Sequence, residues 1–133
     1  MAIRKIDHVN IRTPRLEETI RFYVDMLGMK ATFSPGATDM SRSAWLCDER
    51  GDAAIHVGSS EVSYPGDEAA PASAGEGSGR VHHVAFECSD HGRMLDWLRQ
   101  CDQEVRLNDV PEAGLRQIFV RDPNDILVEL NFR

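Results

Sequence analysis

The sequence predicts an α+β fold made of two copies of one unit, each a strand, a helix and three further strands. The first observation is a repeated strand pattern, because IDHVNI at residues 6–11 is followed 75 residues later by VHHVAF at residues 81–86. The second is a segment rich in glycine and serine that separates two halves of similar size. We therefore expect one domain over residues 1–133, with a first module at 1–57, a flexible linker at 58–80 and a second module at 81–133.

Each repeated strand is followed by a segment with helical spacing of apolar residues. In the first half, Thr13 and Pro14 predict the start of a helix, and Gly28 stands where it ends. In the second half, Ser89 and Asp90 open the corresponding helix. At the same offset the buried helix positions are expected to coincide in three pairs, Ile20 with Leu95, Phe22 with Trp97, and Tyr23 with Leu98.

Three strands are predicted after each helix, at residues 29–34, 40–48 and 52–58 in the first half and 104–108, 114–121 and 125–132 in the second. Short turns at 49–51 and 122–124 join the last two strands, and aligning these turns places His56 and Glu129 at equivalent positions. A four-stranded sheet with one helix leaves one face uncovered. The sheets of the two modules are therefore expected to pair into an open cup or barrel.

Four side chains that can bind a metal ion fall at equivalent places in the repeat. His8 and His83 lie in the two first strands, and His56 and Glu129 lie in the two last strands. Imidazole nitrogens and carboxylate oxygens are common ligands of zinc, nickel, iron and manganese. One residue from each strand can converge on a point, because alternate side chains of a strand share a face. A single strand histidine is more often structural, but the equivalence of all four favours one divalent metal ion inside the predicted cup.

Three further features of the sequence narrow the possible partners and location of the protein. They are the other two histidines, the cysteines and the distribution of charge. His82 should lie on the opposite strand face from His83, and His91 is expected to be a solvated helix residue. Three cysteines without a Cys-x-x-Cys motif predict reduced thiols rather than a disulfide framework or zinc ribbon. The net charge of -7 with scattered basic residues makes nucleic acid an improbable partner. Because no apolar run reaches about 18 residues and no signal peptide opens the chain, we expect a cytoplasmic protein without a membrane partner.

Together with the closing segment FVRDPNDILVEL at residues 119–130, these motifs resemble the vicinal oxygen chelate superfamily over essentially the whole chain. That superfamily holds glyoxalase I, methylmalonyl-CoA epimerase, extradiol dioxygenases, fosfomycin-resistance thiol transferases and bleomycin-binding proteins. The resemblance implies His8, His83 and Glu129 as metal ligands, with His56 at the position where members vary most. Glu129 is then also the candidate catalytic general base, provided that its carboxylate can detach from the metal during turnover.

The resemblance further implies a metal-dependent enzyme, a lyase or isomerase similar to lactoylglutathione lyase. Its small substrate would carry adjacent oxygens and react through a metal-stabilised enediolate, with nickel, zinc, manganese or iron as the cofactor. A second glutamate is expected where this chain has His56, which puts a shuttle between two carboxylates in doubt. The two units must pair within one chain or across two, and we expect a homodimer.

Four other activities remain open. An epimerase would need an additional acid in the first unit. An extradiol dioxygenase usually enlists a histidine and a tyrosine from the second unit, and that unit has no tyrosine. A thiol transferase would need basic residues for an anionic substrate, a role that Arg116 and Arg121 could fill. A metal-free drug- or metabolite-binding protein is the alternative outside enzymes, and the four retained ligand positions argue against it.

Overall fold

The computed structural model describes Met1, residues 6–63 and residues 83–133. The chain divides into two compact units, Met1–Gly75 and Glu76–Arg133. This division falls inside the predicted linker at 58–80, whose residues 64–80 lie outside the described part, as does His82.

Both units have the predicted order of strand, helix and three strands. The elements of the first are β1 (Val9–Thr13), α1 (Leu16–Arg21), β2 (Lys30–Thr32), β3 (Ser43–Cys47) and β4 (Ala53–Ser59). Those of the second are β5 (Val84–Cys88), α2 (His91–Gln100), β6 (Arg106–Val110), β7 (Leu115–Arg121) and β8 (Leu127–Phe132). The sheets have the orders β1-β4-β3-β2 and β5-β8-β7-β6, with the outer strands β1 and β5 parallel to their neighbours. The α+β fold with two βαβββ modules is therefore confirmed.

The two sheets have equivalent strand registers, with the offsets that the repeat predicts. Val9 pairs with Ile55 in the first sheet, and Val84 pairs with Val128 in the second. The first strands thus keep their offset of 75 residues, while the last strands keep the shorter offset of 73. Both first strands begin later than predicted, because β-ladder pairing starts only at Val9 and Val84. His8 and His83 consequently lie immediately before β1 and β5 rather than within them.

Each helix packs on one face of its own sheet, and alternate strand residues form the core there. The buried positions are Ile11, Ala44, Leu46, Ile55 and Val57 in the first sheet, and Ile118, Val120, Val128, Leu130 and Phe132 in the second. Tyr23 and Leu98 are 1% and 0% exposed, so their predicted equivalence is confirmed. The strand faces opposite the helices carry the alternating residues, which include His56 and Glu129.

The predicted equivalence of Phe22 and Trp97 is wrong, because Phe22 is 7% exposed and Trp97 is 44% exposed. A π-helical turn, Phe22–Met26, continues α1, and the amide of Leu27 donates to the carbonyl of Phe22 at 3.2 Å. The wider turn places two consecutive side chains, Phe22 and Tyr23, against the sheet. The α-helix of the second unit buries only Leu98 of the corresponding pair.

The helix boundaries were predicted with unequal success. Thr13 does not cap α1, because it is the last residue of β1, and its hydroxyl accepts a hydrogen bond from the Arg15 amide at 2.8 Å. Asp90 does cap α2, since its carboxylate accepts from the Arg93 amide at 3.1 Å. Gly28 ends the first helical segment with a φ of +76°, a conformation that glycine adopts without strain.

All three cysteines are free, as predicted, with Cys47 buried and the other two half-buried. Within residues 6–63 and 83–133, no helix is long and apolar enough to span a membrane.

His91 was expected to be solvated, and the structure corrects this. Its side chain is buried at 8% exposure, and its ring meets the Phe132 ring edge-on at a centroid distance of 5.0 Å. Burial lowers the pKa of His91, and the positive charge of Arg116 lowers it further, while Asp109 acts in the opposite direction. The folded state therefore favours the neutral imidazole.

This burial predicts a pH effect on stability. A histidine whose folded pKa is depressed destabilises the folded state as pH falls from its ordinary pKa of about 6.5 through the folded value. We expect the free energy of unfolding to fall between about pH 7.5 and pH 5, and to fall less in His91→Gln, which has no charge to gain. Urea unfolding of both proteins at the two pH values measures this. Equal losses in the two proteins would contradict the assignment.

Candidate metal centre

In the first unit, the predicted ligands His8 and His56 lie together in an aromatic stack. The two imidazole rings are nearly parallel, with centroids 3.7 Å apart and an interplanar angle of 14°. Trp45 stacks on His56 at 4.4 Å and 6°. Trp45 pairs with His56 across the β3–β4 ladder, so the two side chains share a strand face. His56 thus stacks on two neighbouring rings.

The surroundings of these two histidines suit metal binding. Nδ1 of His8 lies 2.7 Å from a carboxylate oxygen of Asp7. A metal-binding histidine commonly donates the proton of its other ring nitrogen to such a carboxylate. Nε2 of His8 is therefore the nitrogen available to bind a metal ion. Burial lowers the pKa of His56, and the charge of His8 lowers it further, against the opposing effect of Asp7. Neutral imidazole is the form that binds metal ions.

In the second unit, the structure brings His83 and Glu129 together. Nε2 of His83 lies 3.3 Å from Oε2 of Glu129, and Glu129 is only 9% exposed. Two atoms bound to one ion at about 2.1 Å, with angles of about 90–109°, are about 3.0–3.4 Å apart. The observed separation of the nitrogen and the oxygen therefore fits two ligands of a single metal ion.

The other carboxylate oxygen of Glu129 belongs to a chain of amide side chains. Nε2 of Gln117 donates to Oε1 of Glu129 at 2.7 Å and to Oδ1 of Asn131 at 3.0 Å. Oε1 of Gln117 accepts from Nδ2 of Asn108 at 2.6 Å. Neither Gln117, Asn108 nor Trp45 was predicted as a site residue. The available signal was polar residues alternating with apolar ones along β7 and β8, on the face that carries Glu129.

The two candidate substrate-binding arginines lie on different faces of the second sheet. Arg116 alternates with Ile118 and Val120 on the helix-covered face, and its Nε lies 3.8 Å from Asp109. It therefore points away from the face that carries Glu129. Arg121 alternates onto the Glu129 face at the end of β7. Its Nη1 donates to the Asp125 carbonyl at 2.9 Å and lies 3.3 Å from the Asp125 carboxylate.

The structure thus joins the predicted ligands in two pairs, His8 with His56 and His83 with Glu129, one pair in each unit. In the part of the chain that the structure describes, no group of three or more His, Cys, Asp or Glu side chains is gathered for a metal ion. The donor atoms of each pair are of the kinds that zinc, nickel, iron and manganese bind. A site that uses all four residues remains a prediction.

Comparisons with known proteins agree with the fold. The family model described as the Glyoxalase/Bleomycin resistance protein/Dioxygenase superfamily matches residues 5–130. A curated relative from Bacillus subtilis (strain 168), named "Putative ring-cleaving dioxygenase MhqA", is 26% identical over 132 residues, which is 98% of this chain. This chain spans 40% of the length of that relative.

Two solved structures illustrate the likeness in fold. Lactoylglutathione lyase from Agrobacterium tumefaciens has a TM-score of 0.70 at 16% identity, over 99% of this chain and 96% of its own. The fosfomycin resistance protein FosX from Listeria monocytogenes has a TM-score of 0.68 at 14% identity, over 99% of this chain and 95% of its own. At these identities the comparisons show a shared fold.

Proposed function

Because this chain belongs to the Glyoxalase/Bleomycin resistance protein/Dioxygenase superfamily, we propose that it is a metal-dependent lyase or isomerase that acts on a small substrate with two adjacent oxygens. The observation that carries the proposal is the pair of His83 and Glu129, whose donor atoms are 3.3 Å apart. A buried carboxylate beside a histidine is costly to keep unless it is paired or binds a cation.

The proposed ligands are His8, His56, His83 and Glu129. When bound, a divalent ion supplies a Lewis acid that withdraws charge from the substrate oxygens. His8 and His56 would contribute neutral nitrogens, with His8 oriented by Asp7. The rings of His8 and His56 are stacked nearly parallel, with an interplanar angle of 14°, so both would have to turn if they were to hold one ion.

Glu129 has the chemistry of a general base. Once its carboxylate detaches from the metal during turnover, Oε2 would take a proton from the substrate carbon next to the two oxygens and return it to the neighbouring carbon. His56 occupies the position equivalent to Glu129 in the repeat, and an imidazole there cannot serve as a second carboxylate. A single carboxylate would therefore both remove and return the proton. The likeness in fold to a lactoylglutathione lyase supports this reaction class.

Ring cleavage is the second candidate, because the curated relative is named as a ring-cleaving dioxygenase. Two histidines and one carboxylate, His8, His83 and Glu129, are the ligand set of non-haem iron oxygenases. The second unit contains no tyrosine, which a ring-cleaving site of this family usually includes. Isomerisation or lyase chemistry is for that reason the first proposal.

Assembly and location belong to the same proposal. We propose a homodimer, because a site shared between equivalent units can be completed across two copies as well as within one. Sedimentation would oppose a shared site if it showed a stable monomer that holds metal and is active. Three free thiols suit a reducing compartment, so the cytoplasm is the proposed location.

The decisive experiment measures metal binding first and turnover second. The purified protein is dialysed against a weak chelator, and we expect it to keep close to one divalent ion per chain. Thiol hemiacetals, acyl-CoA epimers, catechols and fosfomycin are then tested with nickel, zinc, manganese and iron. Trp45 fluorescence in a Trp97→Phe variant follows ligand binding at His56, because the two rings stack at 4.4 Å. A protein that retains no ion, and whose ligand binding is unchanged in Glu129→Gln, would instead be a metal-free binding protein.

A further inference from the structure

Glu129 has two carboxylate oxygens with different surroundings. Oε2 lies 3.3 Å from Nε2 of His83, whereas Oε1 accepts a hydrogen bond from Nε2 of Gln117 at 2.7 Å. Gln117 is 8% exposed and Glu129 is 9% exposed, so this hydrogen bond is shielded from water. A hydrogen bond to a buried carboxylate is stronger than one between neutral groups and restricts rotation of the acid.

The direction of the hydrogen bonds follows from chemistry. An ionised carboxylate can only accept, so Gln117 must turn its Nε2 toward Glu129. Its second Nε2 hydrogen goes to Oδ1 of Asn131 at 3.0 Å. The Oε1 atom of Gln117 then faces Asn108, which must offer its own Nδ2, and the observed distance is 2.6 Å. Each side chain in the series fixes the orientation of the next.

We propose that Asn108 and Gln117 form an amide relay that turns Glu129 so that Oε1 stays bound to protein and Oε2 is left for a metal ion beside His83. This inference rests on the proposed function, because it assumes that Glu129 is a metal ligand. Gln117 is a positioning residue, and Asn108 acts through Gln117 alone. With Oε1 held by Gln117, Glu129 would offer a metal ion one oxygen, and other coordination positions would stay available to the substrate.

The sharpest variant is Asn108→Asp, because the relay and simple electrostatics predict opposite results. Asn108 is exposed, and aspartate has the same shape, so the fold should tolerate the change. The new carboxylate cannot donate to Gln117 and instead competes with Glu129 for the Nε2 donor. The relay therefore predicts weaker metal binding, by about tenfold. The added negative charge alone would attract a cation and tighten binding.

The matched control is Gln100→Glu, which adds the same charge at an exposed position at the end of α2. Gln117→Met is the second test, since methionine keeps the length of glutamine but removes both donors. We expect it to weaken binding of Mn²⁺ by about 10–100-fold. The dissociation constant of Mn²⁺ alone is measured by competition with a chelator, and thermal melting without metal shows that each variant folds.

The relay is also measurable without metal. Hydrogen exchange of the Gln117 side-chain amide, followed by NMR, should be slower than that of the exposed Gln100 amide. Asn108→Asp should speed up this exchange or shift the Gln117 signal. Exchange of Gln117 as fast as that of Gln100 would overturn the relay whatever the metal data show.

The outcomes separate the two proposals. If the unaltered protein binds neither Mn²⁺ nor nickel, zinc or iron, both the proposed function and the role of the relay fail. If it binds Mn²⁺ and either Asn108→Asp or Gln117→Met binds as tightly as Gln100→Glu, the relay fails and the metal site stands. Weaker binding in both variants, with melting temperatures close to that of the unaltered protein, supports the relay.

Discussion

Glu129→Gln is expected to lower kcat by about 10²–10⁴-fold, the usual contribution of a positioned general base. The amide keeps the shape of the acid and can still accept from Gln117, but it cannot take up a proton and is a poorer metal ligand. Turnover of the substrate found by screening and the dissociation constant of Mn²⁺ are measured together. We expect kcat to fall and the dissociation constant of Mn²⁺ to rise, while the variant still folds.

The matched control is Glu87→Gln. Glu87 is exposed on β5, two residues after Ala85, which pairs with Glu129 across the ladder. The Glu87→Gln substitution therefore removes the same charge from the same face of the same sheet and leaves the candidate ligands unchanged. Turnover and metal binding should stay near those of the unaltered protein. If the two variants behaved alike, net charge rather than the chemistry of Glu129 would explain the effect.

Of the substitutions proposed for this protein, Leu98→Ala is expected to destabilise it most. It should lower the free energy of unfolding by about 2–5 kcal/mol. Leu98 is 0% exposed in α2, so its removal leaves a cavity between the helix and the second sheet. Because small domains have total stabilities of only about 5–15 kcal/mol, this loss would be plain in urea unfolding followed by circular dichroism.

Leu107→Ala provides the comparison for that measurement. Leu107 lies on β6 in the same unit and is 51% exposed, so truncating it opens no cavity. A surface substitution of this kind usually changes stability by about 0.5 kcal/mol or less. A Leu98→Ala variant no less stable than Leu107→Ala would contradict the proposed packing of α2 against the core.

The repeat was the part of the fold that could be predicted from the sequence. Alternation in the strands and the turn residues determine which side chains share a face, and they led to the correct equivalence of Ile55 with Val128, which pair with Val9 and Val84 in the two sheets. The error at Trp97 arose because a π-helical turn adds a residue to one helix without any local signal in composition. His91 was misjudged because its burial depends on Phe132, about 40 residues further along the chain.

The candidate site was predictable only in part. Residue type and repeat position identified His8, His56, His83 and Glu129, and each half of that set forms a close pair. The roles of Gln117 and Trp45 could not be predicted, since amides and indoles are common in strands and only tertiary contact reveals their partners. Whether the two pairs act on one ion remains a prediction for the metal-binding measurements.

The parallel pairing of each first strand with its last strand also has a kinetic consequence. Val9 meets Ile55, and Val84 meets Val128, across about 45 intervening residues of chain. Such long-range contacts are slow to form, because the entropy of closing the loop is lost before the contacts are gained. His8 and His56 are next in sequence to Val9 and Ile55. In the same way, His83 and Glu129 are next in sequence to Val84 and Val128. Each pair of candidate ligands should therefore come together only in the step that completes its sheet, which makes metal binding a late reporter of folding in each unit.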